Sequence, residues 1–215
     1  MLVLLHTSPV HVPVFDALRD AGHPGVTLRH LVAEELLARA RAEGPEAVAA
    51  EIRAVLAPAV AAGASAVLCT CSTIGEVAEK AGPALGVPVL RVDRPMAEAA
   101  AAAGRVVVVA ALESTLGPTA ALIREAAGAR PLELRTVLAD GAWERFEAGD
   151  RDGYLDAVAA AVDASTEPGA DEVVVLAQVS MADAAGRVRG DVPVLAGPGS
   201  GLAAAVAVAA AAAGR

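Results

Sequence analysis

Two stretches about a hundred residues apart follow the same course, and that repetition limits the chain to a duplicated architecture. Residues 3–22 and 107–128 each open on an apolar run, pass through a polar loop and enter a helix-compatible segment with an early proline, Pro13 in one and Pro118 in the other. Further on, Gly63-Ala64-Ser65-Ala66-Val67 parallels Gly169-Ala170-Asp171-Glu172-Val173, and Val87-Pro88-Val89-Leu90 parallels Val192-Pro193-Val194-Leu195. Matched landmarks in the same order predict two halves built alike. Between them, β-like runs alternate with stretches rich in Ala, Glu and Arg, the mark of successive βα units on a parallel sheet. Strands are expected at 2–6, 26–31, 66–70, 87–91, 106–111, 132–138, 172–177 and 192–196, in two sets of four.

The expected fold is therefore α/β, with two pseudosymmetric lobes, each a four-stranded parallel sheet flanked by helices. Residues 1–95 form the first lobe, with a C-terminal helix at 200–215 packing on it, and residues 96–199 form the second. Ligands of such sheets bind at the C-terminal ends of the strands, so the site is expected in the cleft between the lobes. Composition agrees with closely spaced layers: 55% of residues are hydrophobic but only 2% are aromatic, so the interior must be built from Val, Leu, Ile and Ala.

Charge and patterning exclude several classes of function. A net charge of −9 with no basic patch argues against nucleic acid. The longest apolar run, the Ala-rich tail at 202–213, is too short for a membrane span. The apolar start lacks a basic leader segment and reads as a strand, which places the protein in the cytoplasm. Cys69 and Cys71 are two residues apart and poorly placed for a disulfide. The histidines His6, His11, His23 and His30 all fall in the first thirty residues without zinc-ligand spacing, so no metal is assigned.

Candidate chemistry gathers where the strands end. The apolar run 67–69 stops at Thr70-Cys71-Ser72-Thr73 before Ile74-Gly75 opens helical sequence. A thiol at a helix start lies where free N–H groups and the helix dipole stabilise an anion. Cys71 is thus the candidate reactive group, and Cys69 belongs to the buried strand. Ser72 and Thr73 suit both helix capping and carboxylate binding. The matching run 173–177 leads to Gln178-Val179-Ser180, so Gln178 stands where a second thiol would be expected. The loops after the first strand of each half add His6, Thr7 and Ser8, and Glu113, Ser114 and Thr115, as ligand-lining candidates. Asp93 either faces this site or pairs with an arginine. Gly197, Gly199 and Gly201 form a loop before the last helix that could approach a ligand closely.

These residues resemble the aspartate/glutamate/hydantoin racemase superfamily. Cys71-Ser72-Thr73 is similar to its Cys-Asn-Thr motif after the third strand, residues 110–115 to its Ala-Thr-x-Gly-Thr stretch, and residues 176–181 to its second-half Leu-Gly-Cys-x-Gly-Met. The resemblance implies a cofactor-independent enzyme in which two cysteines act on opposite faces of a carbon next to a carboxylate. The superfamily also contains maleate isomerases and decarboxylases that protonate an enediolate with a single cysteine. Here Gln178 replaces the second cysteine, and a carboxamide cannot shuttle a proton near neutral pH.

The expected function is accordingly a Cys71-dependent, racemase-like proton transfer on a small carboxylic acid or amino acid. Gln178 would hydrogen-bond the substrate or its enolate, and Val179 and Ser180 would line the site. For racemisation, the opposite-face proton would come from Ser180, Glu113 or His6. One-sided decarboxylation or carbon–carbon cleavage is the alternative, and carboxylate binding without catalysis is a third. The Ala-rich helices leave room for a homodimer.

Overall fold

The computed structural model describes residues 1–167 and 169–214. By its internal contacts the chain forms two compact units: Met1–Val92 together with Pro198–Arg215, and Asp93–Gly197.

The first unit runs β1 (Leu2–His6), α1 (His11–Gly22), β2 (Leu28–Val32), α2 (Glu34–Glu43), a 3-10 turn at Pro45–Val48, α3 (Ala49–Ala61), β3 (Ala66–Cys69), α4 (Ser72–Lys80), the short α5 (Gly82–Leu85) and β4 (Val89–Arg91). The second runs α6 (Arg94–Ala103), β5 (Arg105–Ala110), α7 (Glu113–Ala127), β6 (Glu133–Leu138), α8 (Ala142–Glu147), α9 (Arg151–Ser165), β7 (Val173–Leu176), a 3-10 helix at Val179–Arg187 and β8 (Val194–Ala196). The last helix, α10, spans Gly197–Ala213. It covers residues 200–213 of the helix expected at 200–215; Gly214 lies past its end, and residue 215 lies outside the described residues, as does residue 168 of the expected second lobe.

Each unit holds one four-stranded parallel sheet, ordered β2-β1-β3-β4 in the first and β6-β5-β7-β8 in the second. The duplication extends to single hydrogen bonds. Thr70 N–H donates to the Leu5 carbonyl and Ala177 N–H to that of Val109, at 3.0 and 2.9 Å; Val67 N–H reaches Pro88 O and Val174 N–H reaches Pro193 O, both at 2.9 Å. The inner strands are apolar on both faces because both faces are covered: β1 and β3 are buried throughout, as are all residues of β5 after Arg105. Edge strands β2 and β6 carry polar residues and stay partly exposed. In the first unit Leu36, Ile52, Leu56 and Ile74 pack on Val3, Leu5 and Val67. In the second, Tyr154, Leu155 and Val158 cover one part of the core, and Met96, Leu122 and Ile123 another. Among the described residues no helix is long and apolar enough to cross a membrane.

The glycine-rich segment read as a ligand loop is instead the first turn and a half of α10. Proline is tolerated in a first helical turn, where its missing N–H has no intrahelical partner to lose. Gly201 is spent on packing: a Cβ there would lie 2.3 Å from the Val92 carbonyl oxygen and 2.9 Å from Val92 Cα, whereas one at Gly199 would meet nothing within 4 Å. Backbone cannot yield as a flexible side chain can, so overpacking is costly. Gly201→Ala is expected to destabilise the protein by about 3 kcal/mol. Gly199→Ala, gaining helix propensity without a clash, should be neutral or stabilising. Urea melts of the two variants against the parent chain measure the contrast.

Candidate functional site

In the first unit the register of β1 with β3, Leu5 opposite Cys69, brings the loops after both strands to the same end of the sheet. Cys71 is the N-cap of α4, in extended backbone (φ −117°, ψ 116°), and its side chain makes no capping bond. It keeps 8% of its surface exposed, while Cys69 is fully buried with its thiol 3.6 Å from the Cys71 carbonyl oxygen, to which it donates. Ser72 and Thr73 are buried in the first turn of α4. Thr7 is buried in the loop after β1, and Ser8 is partly exposed beside it. Cys71, Ser72, Thr73, Thr7 and Ser8 thus share one end of this unit, at a helix terminus suited to an anion.

His6 has a different surrounding from the one its place at a strand end suggests. It is fully buried, with Nδ1 at 2.8 Å from Thr70 Oγ1 and Nε2 at 2.8 Å from His30 Nδ1. Thr70 donates its single hydroxyl proton to the Leu5 carbonyl at 3.1 Å. Its oxygen must then accept from His6 Nδ1–H, which leaves His6 Nε2 to accept from His30 Nδ1–H. His30 Nε2 in turn lies 3.4 Å from Asp16 Oδ1, and Asp16 also pairs with Arg19 at 2.9 Å. His6 therefore has no ring nitrogen left for a ligand; it holds the residue next to Cys71. Burial first, then the neighbouring His11 and His30, push its pKa down to about 3. His11, at the start of α1, is lowered to about 4 by burial, and its Nδ1 is buried without a hydrogen-bond partner among the described residues.

In the second unit Leu112 is the N-cap of α7 and Gln178 the N-cap of the 3-10 helix that follows β7. Gln178 Oε1 accepts from the backbone N–H groups of both Ala111 and Leu112, at 2.7 and 3.0 Å. Glu113 is exposed in the first turn of α7, Thr115 is buried, and Ser114 Oγ is buried without a hydrogen-bond partner among the described residues. Val179 is buried, and Ser180 shares a 2.8 Å hydrogen bond with the Tyr154 hydroxyl, whose pKa burial raises to about 12. Asp93 is buried at the N-cap of α6, where its carbonyl accepts from Ala97 N–H. An open depression lined by Asp163, Glu167, Arg189 and Asp191 lies at the opposite, N-terminal ends of β7 and β8.

Sequence reasoning missed the parts played by Asp16, His30 and Tyr154. The crowding of histidines into the first thirty residues was visible, but nothing in the spacing revealed that three of their rings meet.

A duplicated α/β chain, with a thiol at a strand-to-helix junction in one unit and a carboxamide at the equivalent junction in the other, defines a class of two-unit α/β protein with its polar groups at the strand ends. The family model for Asp/Glu/Hydantoin racemase matches residues 12–210, and the chain belongs to that family. No curated protein matches it by sequence. Among solved structures it is similar to a glutamate racemase from Francisella tularensis in complex with D-glutamate, at 12% identity and a TM-score of 0.73, covering 96% of this chain and 80% of that one. It is also similar to an aspartate racemase from Picrophilus torridus (13% identity, TM-score 0.69, 98% and 94% covered). An arylmalonate decarboxylase shares the fold at 17% identity and a TM-score of 0.57, with 97% and 91% covered.

The two lowered histidines set a pH dependence. Their folded-state pKa values of about 3 and about 4 lie below the ordinary 6.5, so between those limits the unfolded chain binds protons that the folded chain refuses. Their contribution is fully present above about pH 6.5 and is lost as pH falls through the window, at up to roughly 1.4 kcal/mol per pH unit for each ring. His11→Leu, which removes a buried nitrogen with no partner, should leave stability at pH 7.5 within about 1 kcal/mol. It should also flatten the loss between pH 6.5 and 4.5 by up to one ring's share. Urea melts across that range provide the measurement.

Proposed function

We propose that this chain is a cofactor-independent enzyme that moves a proton at the carbon next to the carboxylate of a small acid or amino acid, with Cys71 as the acid/base. The observation that carries the reading is the position of Cys71: N-cap of α4, its side chain uncommitted to capping, with Ser72 and Thr73 in the first turn behind it. A helix terminus in that setting suits the anionic carboxylate of a substrate. Ser72, Thr73, Ser114 and Thr115 hold carboxylate oxygens, and fixed N–H and O–H donors stabilise the charge that develops as the proton leaves.

Racemisation needs a second proton donor for the opposite face. Of the three groups able to supply it, His6 has both nitrogens engaged and Ser180 is bonded to Tyr154. Glu113, exposed at the start of α7, is the remaining carboxyl acid/base. The second reading, decarboxylation with protonation from one face only, is favoured by Gln178, whose amide has no proton to exchange near neutrality.

The test is turnover in deuterium oxide on the enantiomers of aspartate and glutamate and on malonate-type acids, with carbon dioxide followed in parallel. Cys71→Ala is expected to lower solvent-deuterium incorporation by about a hundredfold or more; full retention removes Cys71 from the mechanism. Inversion without gas, abolished in Glu113→Gln while deuterium still enters one enantiomer, identifies a racemase. Gas release that survives Glu113→Gln but not Cys71→Ala identifies a decarboxylase. Tight binding with neither deuterium entry nor gas overturns catalysis.

A further inference from the structure

We propose that Gln178 determines specificity by reading oxygen: with its carbonyl latched to the backbone, it presents only N–H donors, so the ligand group beside it is a carboxylate or enolate oxygen and an ammonium is rejected. The inference deepens the reading of the chain as acting on a small acid and rests on it.

The orientation of the carboxamide follows from its partners. Ala111 N–H and Leu112 N–H are both donors, at 2.7 and 3.0 Å, and only the oxygen of a carboxamide can accept them. Two convergent bonds occupy both lone-pair directions of Oε1, so it has nothing further to accept. The nitrogen end is different. Gln178 is only partly buried, and the two bonds to Oε1 are the hydrogen bonds its side chain makes among the described residues. Among the described residues its two Nε2–H donors meet no acceptor and are left to water or to a ligand.

The latch also decides what those donors can do. A free glutamine could rotate its amide to offer either pole and so accept an ammonium as readily as it donates to a carboxylate. Rotation here would point NH2 at two backbone N–H groups and leave two donors partly buried without acceptors, at a cost of roughly 1–3 kcal/mol each. The backbone at the start of α7 therefore fixes the polarity of the side chain. An ammonium brought against the fixed NH2 would meet like partial charge, whereas a carboxylate oxygen completes the unused donors. The substrate class that suits this wall is a diacid, or an acid whose reacting carbon carries a second oxygen function, in preference to one that turns an amino group towards Gln178.

Two compounds of equal chain length isolate the effect: succinate, with a second carboxylate, and 3-aminopropanoate, with an ammonium in its place. Calorimetric titration of the full-length protein is expected to give at least tenfold tighter binding of succinate. Gln178→Glu keeps an oxygen for the Ala111 and Leu112 donors and replaces NH2 with a second acceptor. It should melt as the parent does and lose succinate by tenfold or more while gaining 3-aminopropanoate. Gln178→Leu should lose the preference for succinate without gaining the amine.

Hydrogen exchange on the unmodified protein tests the latch directly, independently of how any variant folds: the Ala111 and Leu112 amides should be protected, and exchange at the rate of open amides overturns the proposal. Equal binding of the two probes by the parent, or unchanged succinate binding in Gln178→Glu, overturns it and leaves the small-acid reading intact. If the parent binds neither probe, nor malonate, aspartate or glutamate, the small-acid reading falls and takes this inference with it.

Discussion

The parallel pairing of the first strand of each unit with its third is the constraint on which everything else here depends. Thr70 N–H to the Leu5 carbonyl, and Ala177 N–H to that of Val109, are the last rungs of two equivalent ladders. At and just past them the strands end, and the residues there come to one end of each sheet: His6, Thr7 and Ser8 with Thr70, Cys71 and Ser72 in the first unit, and Ala111 and Leu112 with Gln178 in the second. The ladder is made by backbone alone, so it is indifferent to the side chains it delivers. That indifference lets one architecture carry a thiol in the first unit and a carboxamide in the second.

The inner strands were legible because each is a compact β-branched or aliphatic run between glycine, proline and polar residues, and their burial on both faces leaves no alternation to confuse the reading; the polar edge strands β2 and β6 followed from the repeat of βα units. Their boundaries were less so. Strands expected from Val87 and Val192 begin at Val89 and Val194, because Pro88 and Pro193 have no N–H for the ladder and contribute only their carbonyls, to Val67 and Val174. The Gly-Pro-Gly-Ser-Gly segment reads as a loop by composition. It is helical because the turn must press against the Val92 backbone, a demand set by a residue more than a hundred positions away in sequence. Cys71 and Gln178 could be singled out as the ends of matched runs, but not what their side chains touch. Which way a strand-end side chain turns, inward like His6 or across to the next loop like Gln178, is decided by partners on other strands.

Each unit must tie the loop after its first strand to the loop after its third, and the two do so with different residues. In the first, the tie is made by the last residue of the first strand and the first beyond the third: His6 meets Thr70, and His30 and Asp16 extend the chain to β2 and α1. Position by position, through the registers of Leu5 with Cys69 and Val109 with Leu176, the second unit has Ala110 and Ala177 at those places. Neither has a polar side chain, so the tie passes one residue further along, to Gln178 and the N–H groups of Ala111 and Leu112.

The residue that corresponds to Gln178 in the first unit is Cys71, whose side chain is relieved of the same duty by His6 and Thr70. A thiol could not replace Gln178 without loss, since sulfur is a weak acceptor and a short side chain. Nor could an amide take the proton-transfer role proposed for Cys71. The asymmetry of the pair is thus one of commitment: the unit with a polar tie already in place leaves its N-cap side chain out of the tie, as the proposed chemistry requires, and the unit without one commits the same position to holding its loop.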